Sequence, residues 1–334
     1  MCLERKGINI VSTPRRKPTL LAPAHGIPGF VPSQWVSETE FLALRSHPAL
    51  PQAVASFAEW LIRTYSHSRM LNLLLVDRGR LLLGFYVLYL DVLPRPGTQE
   101  SGATLSAVQT LCRNTGLCSA GRAASMIALM RFGGYVTQAA DPNDRRRRIL
   151  VPTQRLVDIY NRNWVQQFEA MAPVFPDAAF VPRWLERPSF RTEFLRALGT
   201  LYTEGFRVVE HAPVLKPAVE SNAAVLMLTT LALRQINGSG RPGEIVPLSV
   251  SAIARRFSVS RAHVRNVLHV AEAASLIIHR PDAGGIVIQP ALAEALLQLY
   301  GVMFILFNRS AVMARIQEER STQQVPVHTP RPAS

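Results

Sequence analysis

The sequence predicts a mainly α-helical protein with small β-hairpins, in which one helical module occurs twice and long helices join the copies. Three observations predict this fold class. Apolar residues recur at helical spacing along most of the chain. Two segments combine a helix-turn-helix pattern with a hairpin pattern, and two landmarks are repeated, one about 150 residues apart and the other at an offset in the low 140s. With 334 residues and a hydrophobic content of 48%, the chain is long enough for two domains with buried cores.

The repeat is defined by two landmarks that keep their order. The segment FVPSQWVSETEFL at residues 30–42 returns as FVPRWLERPSFRTEFL at residues 180–195. Residues 105–136 recur in type at residues 248–278. Chance similarity between helical proteins explains shared Leu and Ala spacing, but it does not explain Phe-Val-Pro, Trp and Thr-Glu-Phe-Leu in one order. The sequence therefore predicts a tandem duplication.

The predicted boundaries follow from this repeat. Residues 30–175 form the first module and residues 176–317 form the second, and a proline-containing stretch joins them. Residues 1–29 carry basic side chains among Pro and Gly, so we expect a flexible basic arm. Residues 318–334 are polar and contain proline, which predicts a disordered tail.

Helical periodicity and capping signals place the elements in order. In the first module, helices are predicted at residues 51–66, 68–93, 106–114, 119–132 and 153–171. In the second module, they are predicted at residues 188–210, 217–236, 249–256, 260–275 and 290–316.

The sharpest local pattern lies in the second module. Ser249 and Ser260 each precede a short helix, and a tight turn separates the two helices. The apolar positions of the second helix share one face: Val264, Val267, Leu268 and Ala271. Five other residues of this helix lie mostly on the opposite, largely polar and basic face: Ala262, His263, Arg265, Asn266 and His269. This division predicts a helix-turn-helix, and two apolar strands around the turn at residues 279–285 predict a hairpin after it.

The first module repeats the plan with a longer and more basic hairpin. Ser119 precedes a helix with Ala123, Met126, Ile127 and Met130 on its inner face and Gly121, Arg122 and Ser125 on its outer face. The hairpin turn ends in four consecutive arginines at residues 145–148. Such a run suits phosphate contact or insertion into a narrow minor groove when it stands beside a helix-turn-helix, although elsewhere it is often only a solvated surface.

Residues 80–164, including this hairpin and the Val-Pro-Thr before a long helix, resemble the MarR family of bacterial winged-helix transcription regulators. The wing of that family typically reads Asp-x-x-Asp-Arg-Arg, and four residues occupy those places here: Asp141, Asp144, Arg145 and Arg146. The resemblance implies that Asp144 braces the wing and that Arg146 enters the minor groove. The second module lacks the Asp-Arg-Arg element, so we expect its wing to hold DNA less firmly.

The charge predicts a polyanionic partner. The chain has 37 Lys and Arg against 23 Asp and Glu, a net charge of +14, and all but three of the cations are arginine. Double-stranded DNA is therefore the expected partner. The residues expected to contact it on the two helices are Ser119, Arg122, Ser125, Ser260, Arg261, His263, Arg265 and Asn266. The residues expected to contact it from the wings are Asp144 (as a brace), Arg145, Arg146, Arg147, Arg148 and Arg280.

Other classes of function lack a pattern in the sequence. There is no Gly-rich phosphate loop, no His-Glu-x-x-His, no Gly-x-Ser-x-Gly and no Cys-x-x-Cys, so neither enzyme activity, a cofactor nor a metal is expected. The apolar run at residues 81–90 is shorter than the roughly 20 residues that cross a bilayer. We therefore expect a cytoplasmic, nucleoid-associated protein with no membrane partner.

Two features keep alternatives open. The apolar segments at residues 81–93, with Phe85, Tyr86 and Tyr89, and at residues 225–233 either pack the modules together or, as the resemblance implies, bind a small lipophilic or aromatic effector. Aromatic residues at helical spacing favour packing. Cys112 and Cys118 flank the first turn, where a buried thiol is favoured over a redox switch.

The sequence thus predicts a DNA-binding transcription regulator whose two unequal modules form a fused pseudodimer and contact an asymmetric site. Pairing of two such chains into a homodimer stays open. One alternative is a plasmid-type replication initiator, because such initiators also fuse two winged-helix modules. The other is a protein-interaction scaffold that does not bind DNA.

Overall fold

The computed structural model describes residues 27–66, 78–94, 101–141, 146–241 and 243–323. The helices are α1 (Glu38–Arg45), α2 (Leu50–Tyr65), α3 (Arg78–Asp91), α4 (Leu105–Asn114), α5 (Ala120–Phe132), α6 (Gln154–Met171), α7 (Val181–Leu185), α8 (Pro188–Thr203), α9 (Lys216–Val219), α10 (Ala224–Ile236), α11 (Val250–Phe257), α12 (Arg261–Ala273) and α13 (Pro290–Gln323). The strands are β1 (Ala103–Thr104), β2 (Val136–Ala140), β3 (Arg148–Pro152), β4 (Ile245–Pro247), β5 (Ile277–Arg280) and β6 (Gly285–Ile288). The coarse prediction of a mainly helical fold with small β elements is confirmed.

The strands form two antiparallel sheets with the same strand order. β3 lies between β1 and β2, and β6 lies between β4 and β5. In each half a short strand precedes a helix pair, a hairpin follows the pair, and a long helix follows the hairpin. The two series are β1-α4-α5-β2-β3-α6 and β4-α11-α12-β5-β6-α13.

One continuous hydrophobic core joins both halves of the chain. α13 packs along α8 and also contacts α1, α2 and α10. The ring of Phe194 in α8 lies 5.7 Å from that of Phe168 in α6 and 6.2 Å from that of Phe307 in α13, between ring centroids. Aromatic rings at these distances attract one another and bury a large apolar area, so the two halves are held together by packing.

The start of the described chain packs on α13. Both carboxylate oxygens of Glu40 accept hydrogen bonds from the guanidinium of Arg309, at 2.6 and 2.8 Å. The amide nitrogen of Gln298 donates to the carbonyl of Pro28 at 2.7 Å. Residues 27–29 of the predicted flexible arm are therefore held against the fold, and residues 1–26 of that arm lie outside the described residues.

Three predicted helices differ from those observed, and of the helix predicted at 68–93 the structure describes Arg78–Asp91, while residues 68–77 lie outside the described residues. The helix predicted at 188–210 ends at Thr203, because Gly205 adopts a φ of 106° and the chain then turns. The helix predicted at 217–236 is split into α9 and α10, since Ala223 lies in the left-handed region with φ 56°. The last helix continues to Gln323, so the prediction of disorder is wrong for residues 318–323, and residues 324–334 lie outside the description.

The sequence prediction also omits α1 and α7, which lie in the repeated landmark. The hydroxyl of Ser37 accepts from the N–H of Glu40 at 3.1 Å, which begins α1. Ser-x-x-Glu is a capping-box pattern, so the signal for α1 is present in the sequence. α7 has five residues, too few for a period to show.

Among the described helices, Pro290–Ser321 is the one long and apolar enough to cross a membrane by length and composition. The sequence prediction considered only residues 81–90 and missed this longer apolar stretch. The protein buries 72% of the most apolar window of this helix, and burial against α8 and α10 accounts for its composition.

Candidate nucleic-acid interface

The first candidate surface, called the α4–α5 unit, consists of β1, α4, α5 and the hairpin β2–β3. The hydroxyl of Thr104 accepts from the N–H of Ala107 at 3.2 Å and begins α4. The hydroxyl of Ser119 accepts from the N–H of Arg122 at 3.3 Å and begins α5, as predicted. The four residues predicted for the inner face of α5 are all buried: Ala123, Met126, Ile127 and Met130.

The outer face of α5 is exposed, with small residues over its first turns and the exposed ring of Phe132 at its end. Gly121, Ser125 and Ala128 are all exposed, and the predicted contact residue Arg122 is exposed beside them. The hydroxyl of Ser125 donates to the carbonyl of Gly121 at 3.1 Å, which leaves its oxygen as an acceptor for a ligand. Small side chains allow the helix backbone to approach a flat or grooved partner closely.

Two residues at the start of α6 fix the far end of α5. The hydroxyl of Thr153 lies 2.9 and 3.0 Å from the carbonyl oxygens of Gly134 and Tyr135, and donates to this pair. The guanidinium of Arg155 donates to the carbonyl of Gly133 at 3.0 Å and lies 4.4 Å from the ring centroid of Tyr135. The sequence prediction begins the long helix at Thr153 but gives neither residue this role. The hydroxyl of Thr153 makes no capping bond to α6, so its contact with the far end of α5 depends on tertiary packing.

The hairpin β2–β3 carries the arginine run to an exposed tip. Arg146, Arg147 and Arg148 are exposed, whereas Asp144 and Arg145 lie outside the described residues. Asp141 is 2% exposed, and its N–H donates to the carbonyl of Arg147 at 3.1 Å. Within the described residues, the buried acid of this turn is therefore Asp141, whereas the resemblance assigns the bracing role to Asp144.

The second candidate surface, called the α11–α12 unit, consists of β4, α11, α12 and the hairpin β5–β6. The hydroxyls of Ser249 and Ser260 accept from backbone N–H groups at 3.3 and 3.0 Å, so both predicted N-caps are confirmed. Ser258, with φ 54°, ends α11 in the left-handed region. Four inner-face residues of α12 are buried, as predicted: Val264, Val267, Leu268 and Ala271.

The outer face of α12 presents more hydrogen-bonding groups than that of α5. Arg261, Arg265 and Asn266 are exposed, as predicted for contact residues. His263 is half-buried, and its Nε2 donates to the backbone carbonyl of Asn222 at 2.8 Å. His263 therefore joins α12 to the segment before α10, a role that the sequence prediction did not give it.

The second hairpin is shorter than the first. Arg280, the predicted wing contact, is exposed at the end of β5 and pairs with Gly285. A Cβ at Gly285 would lie 2.5 Å from the carbonyl oxygen of Val246, so the approach of β4 requires glycine. Within the described residues, the tip of the first hairpin exposes three arginines, whereas the second hairpin exposes Arg280.

Hydrogen bonds connect both units to the helical body. The guanidinium of Arg207 donates to the carbonyl of Thr115, in the turn of the α4–α5 unit, at 3.2 Å. The hydroxyl of Tyr86 donates to that of Thr115 at 2.9 Å. In the α11–α12 unit, Nε of Arg256 donates to the hydroxyl of Ser66 at 2.9 Å.

The two cysteines of the first unit lie next to each other. Burial, with a smaller contribution from the neighbouring Cys118 thiol, raises the pKa of Cys112 to about 12. Cys112 is therefore a thiol at neutral pH, and thiols are poor nucleophiles compared with thiolates. This environment favours a packing role for Cys112. Among the described residues, no three His, Cys, Asp or Glu side chains lie together as a metal site would require.

A cavity of about 300 Å³ lies between the two halves of the helical body. Phe85 and Leu226, from the two apolar segments singled out in the sequence, line it. Tyr86 contacts Thr115 instead, and the ring of Tyr89 packs so closely on Gly199 that a Cβ there would lie 2.2 Å from it. α3 therefore packs the halves together through some of its residues and lines a cavity with others.

A scan against protein families, a search of curated proteins and a search of solved structures each found no significant match to this chain.

Proposed function

We propose that this protein is a sequence-specific DNA-binding transcription regulator whose two unequal winged-helix modules form a fused pseudodimer. One observation carries the proposal: the β-α-α-β-β series occurs twice, and in both copies the second helix has a serine N-cap, an exposed outer face and a hairpin after it. That series is the element order of a winged helix-turn-helix, in which the second helix enters the major groove. The repeated landmarks support a tandem duplication.

The first module is suited to backbone contact. Its outer helix face offers one guanidinium, that of Arg122, among small residues, whereas its wing exposes Arg146, Arg147 and Arg148. Arginine forks match phosphate oxygens, and a basic wing beside a helix can follow the minor groove. We assign most of the sequence-independent affinity to this module. The wing sequence is also where the resemblance to the MarR family lies.

The second module is suited to base contact. Arg261, Arg265 and Asn266 present two guanidinium groups and one amide on the exposed face of α12. Arg pairs with the O6 and N7 atoms of guanine, and Asn pairs with adenine. Because the two outer faces differ, the chain would recognise an asymmetric site. Such a protein acts in the cytoplasm, at the nucleoid, without a catalytic step.

The experiment that tests the proposal is an anisotropy titration of labelled duplexes at increasing salt. We expect sequence-dependent binding that persists at about 150 mM salt, where purely electrostatic binding is weak. Preferential binding to duplexes that carry sites repeated at an origin of replication would favour an initiator. Binding that vanishes at this salt concentration, with no sequence preference, would favour a protein scaffold.

A further inference from the structure

Phe132, the last residue of α5, has the most exposed large apolar side chain among the described residues. It is 92% exposed, whereas the next, Phe180, is 54% exposed. Single apolar side chains are common on protein surfaces, but a ring with this exposure contributes almost nothing to the core. Because an apolar ring gains free energy when a partner removes it from water, Phe132 is suited to contact with a bound molecule.

The ring lies on the outer face of α5. Ser125, Ala128 and Phe132 follow one another at spacings of three and four, so they form one row along the helix, and all three are exposed. Ala128 and Phe132 are four residues apart, which corresponds to about 6 Å along the helix axis. That distance equals about two base-pair steps of duplex DNA.

The charge around this row favours a polyanion as the partner. Arg122 and Arg131 are exposed on the same helix, and the arginines at 146–148 are exposed on the hairpin after it. Within the described residues of the α4–α5 unit, the one carboxylate is that of Asp141, which is 2% exposed. Apolar side chains surrounded by exposed cations are suited to the major groove of DNA, where methyl groups lie between two rows of phosphates.

The corresponding row of α12 has different chemistry. Counted from its N-cap serine, α12 has Asn266, His269 and Ala273 at the same three places, and all are exposed. α12 therefore offers hydrogen-bonding groups in the middle of the row, where α5 offers the methyl group of Ala128. At the end of the row α12 has a methyl group where α5 has the ring of Phe132. The two helices are thus suited to different base edges.

We propose that Ala128 and Phe132 contact the C5-methyl groups of thymines, so that the α4–α5 unit recognises a thymine-containing half-site. Among the four bases, thymine carries a methyl group in the major groove, and Ala and Phe are side chains that contact it. This inference rests on the proposed function. It adds a base contact to the module whose wing arginines are assigned to phosphate.

The probe is the duplex motif enriched by selection with the full chain, in which deoxyuridine replaces thymine at one position at a time. Deoxyuridine keeps the hydrogen-bonding groups of thymine and lacks its methyl group. We expect the Kd to rise about fourfold for each contacted methyl, the usual effect of burying one such group. The sensitive positions should lie in one half-site, about two base-pair steps apart. 5-Bromodeoxyuridine, whose bromine fills the place of the methyl group, should restore the affinity.

Replacement of Phe132 by alanine connects the effect to the ring. In Phe132→Ala, deoxyuridine at one of the sensitive positions should no longer change the Kd, because the contact is already absent. Phe180→Ala is the matched control, since it removes an exposed ring from the segment before α7, and it should keep the fourfold effect. Both variants should keep the helical circular dichroism of the unmodified chain.

Failure of this inference is distinguishable from failure of the proposed function. An enriched motif whose thymines all tolerate deoxyuridine would overturn the methyl contact and leave the proposed function standing. A deoxyuridine effect that Phe132→Ala keeps in full would also overturn it. A chain without any sequence preference would overturn the proposed function and this inference with it.

Discussion

Nε2 of His263 donates a hydrogen bond to the backbone carbonyl of Asn222 over 2.8 Å. This bond joins the first turn of α12, the helix with the most hydrogen-bonding groups on its outer face, to the segment that leads into α10. α10 in turn packs on α2 and α13 in the core. The orientation of α12 against the body therefore depends in part on one side-chain donor.

Replacement of His263 tests this positioning role. We expect His263→Leu to weaken specific DNA binding several-fold and to leave binding of random DNA nearly unchanged, because α12 loses a constraint rather than a phosphate contact. His263→Gln, which keeps a donor of similar reach, should recover most of the affinity. Anisotropy titrations on matched specific and random duplexes measure both, and equal losses for the two variants would refute a role for the donor.

Removal of the Arg265 guanidinium tests base contact by α12. We expect Arg265→Ala to reduce discrimination at one base position by about 1–3 kcal/mol, since a bidentate pair with guanine is lost. The measurement is competition among duplexes that differ at single positions. Arg255→Ala, an exposed arginine on the preceding helix, is the matched control and should keep the same preference profile. Equal losses of affinity for all sequences would show that Arg265 does not contact a base.

Removal of a wing arginine tests phosphate contact by the first module. Arg147→Ala should weaken binding to all sequences alike and lower the slope of log K against log salt concentration by about one, because one phosphate contact releases about one counterion. Arg183→Ala removes an exposed arginine from α7, which packs on α6 and α8 rather than on a hairpin. An identical slope change in both variants would show an effect of net charge alone.

The half-buried carboxyl of Asp91 predicts a pH dependence of stability. Burial raises the pKa of Asp91 from 3.8 to about 6. The folded state therefore holds this proton more tightly than the unfolded state, so the stabilising effect of protonation is present below pH 3.8 and lost as the pH rises through 6. Asp91→Asn should raise Tm at pH 7.5, and its advantage should shrink between pH 6 and pH 4. Asp177→Asn, at an exposed position, should change Tm little. A Tm increase for Asp91→Asn that stays constant across this pH range would contradict the raised pKa of Asp91.

Sequence periodicity located the helix pairs because their signals are local. The hydroxyls of Ser119 and Ser260 each accept from the N–H three residues later, and such an N-cap can be recognised without tertiary information. The inner face of α12 follows in the same way from spacings of three and four. These are the parts of the candidate site that the sequence predicts correctly.

The remaining features depend on tertiary contacts that no local pattern shows. His263 and Asn222 are far apart in the chain, so their hydrogen bond appears only in the folded structure. The polar composition of residues 318–334 predicts a tail, yet Arg315 and Glu319 form an i,i+4 ion pair at 3.0 Å on an exposed part of α13. Polarity alone does not distinguish an exposed helix from disorder.

The most direct test of the central claim is a selection of bound fragments from the genomic DNA of the source organism, with purified full-length protein at about 150 mM salt. The account predicts one enriched, asymmetric motif upstream of genes. Replacement of Arg265 should change one position of that motif, whereas replacement of Arg147 should reduce recovery without changing the motif. A pool with no enriched sequence would contradict it.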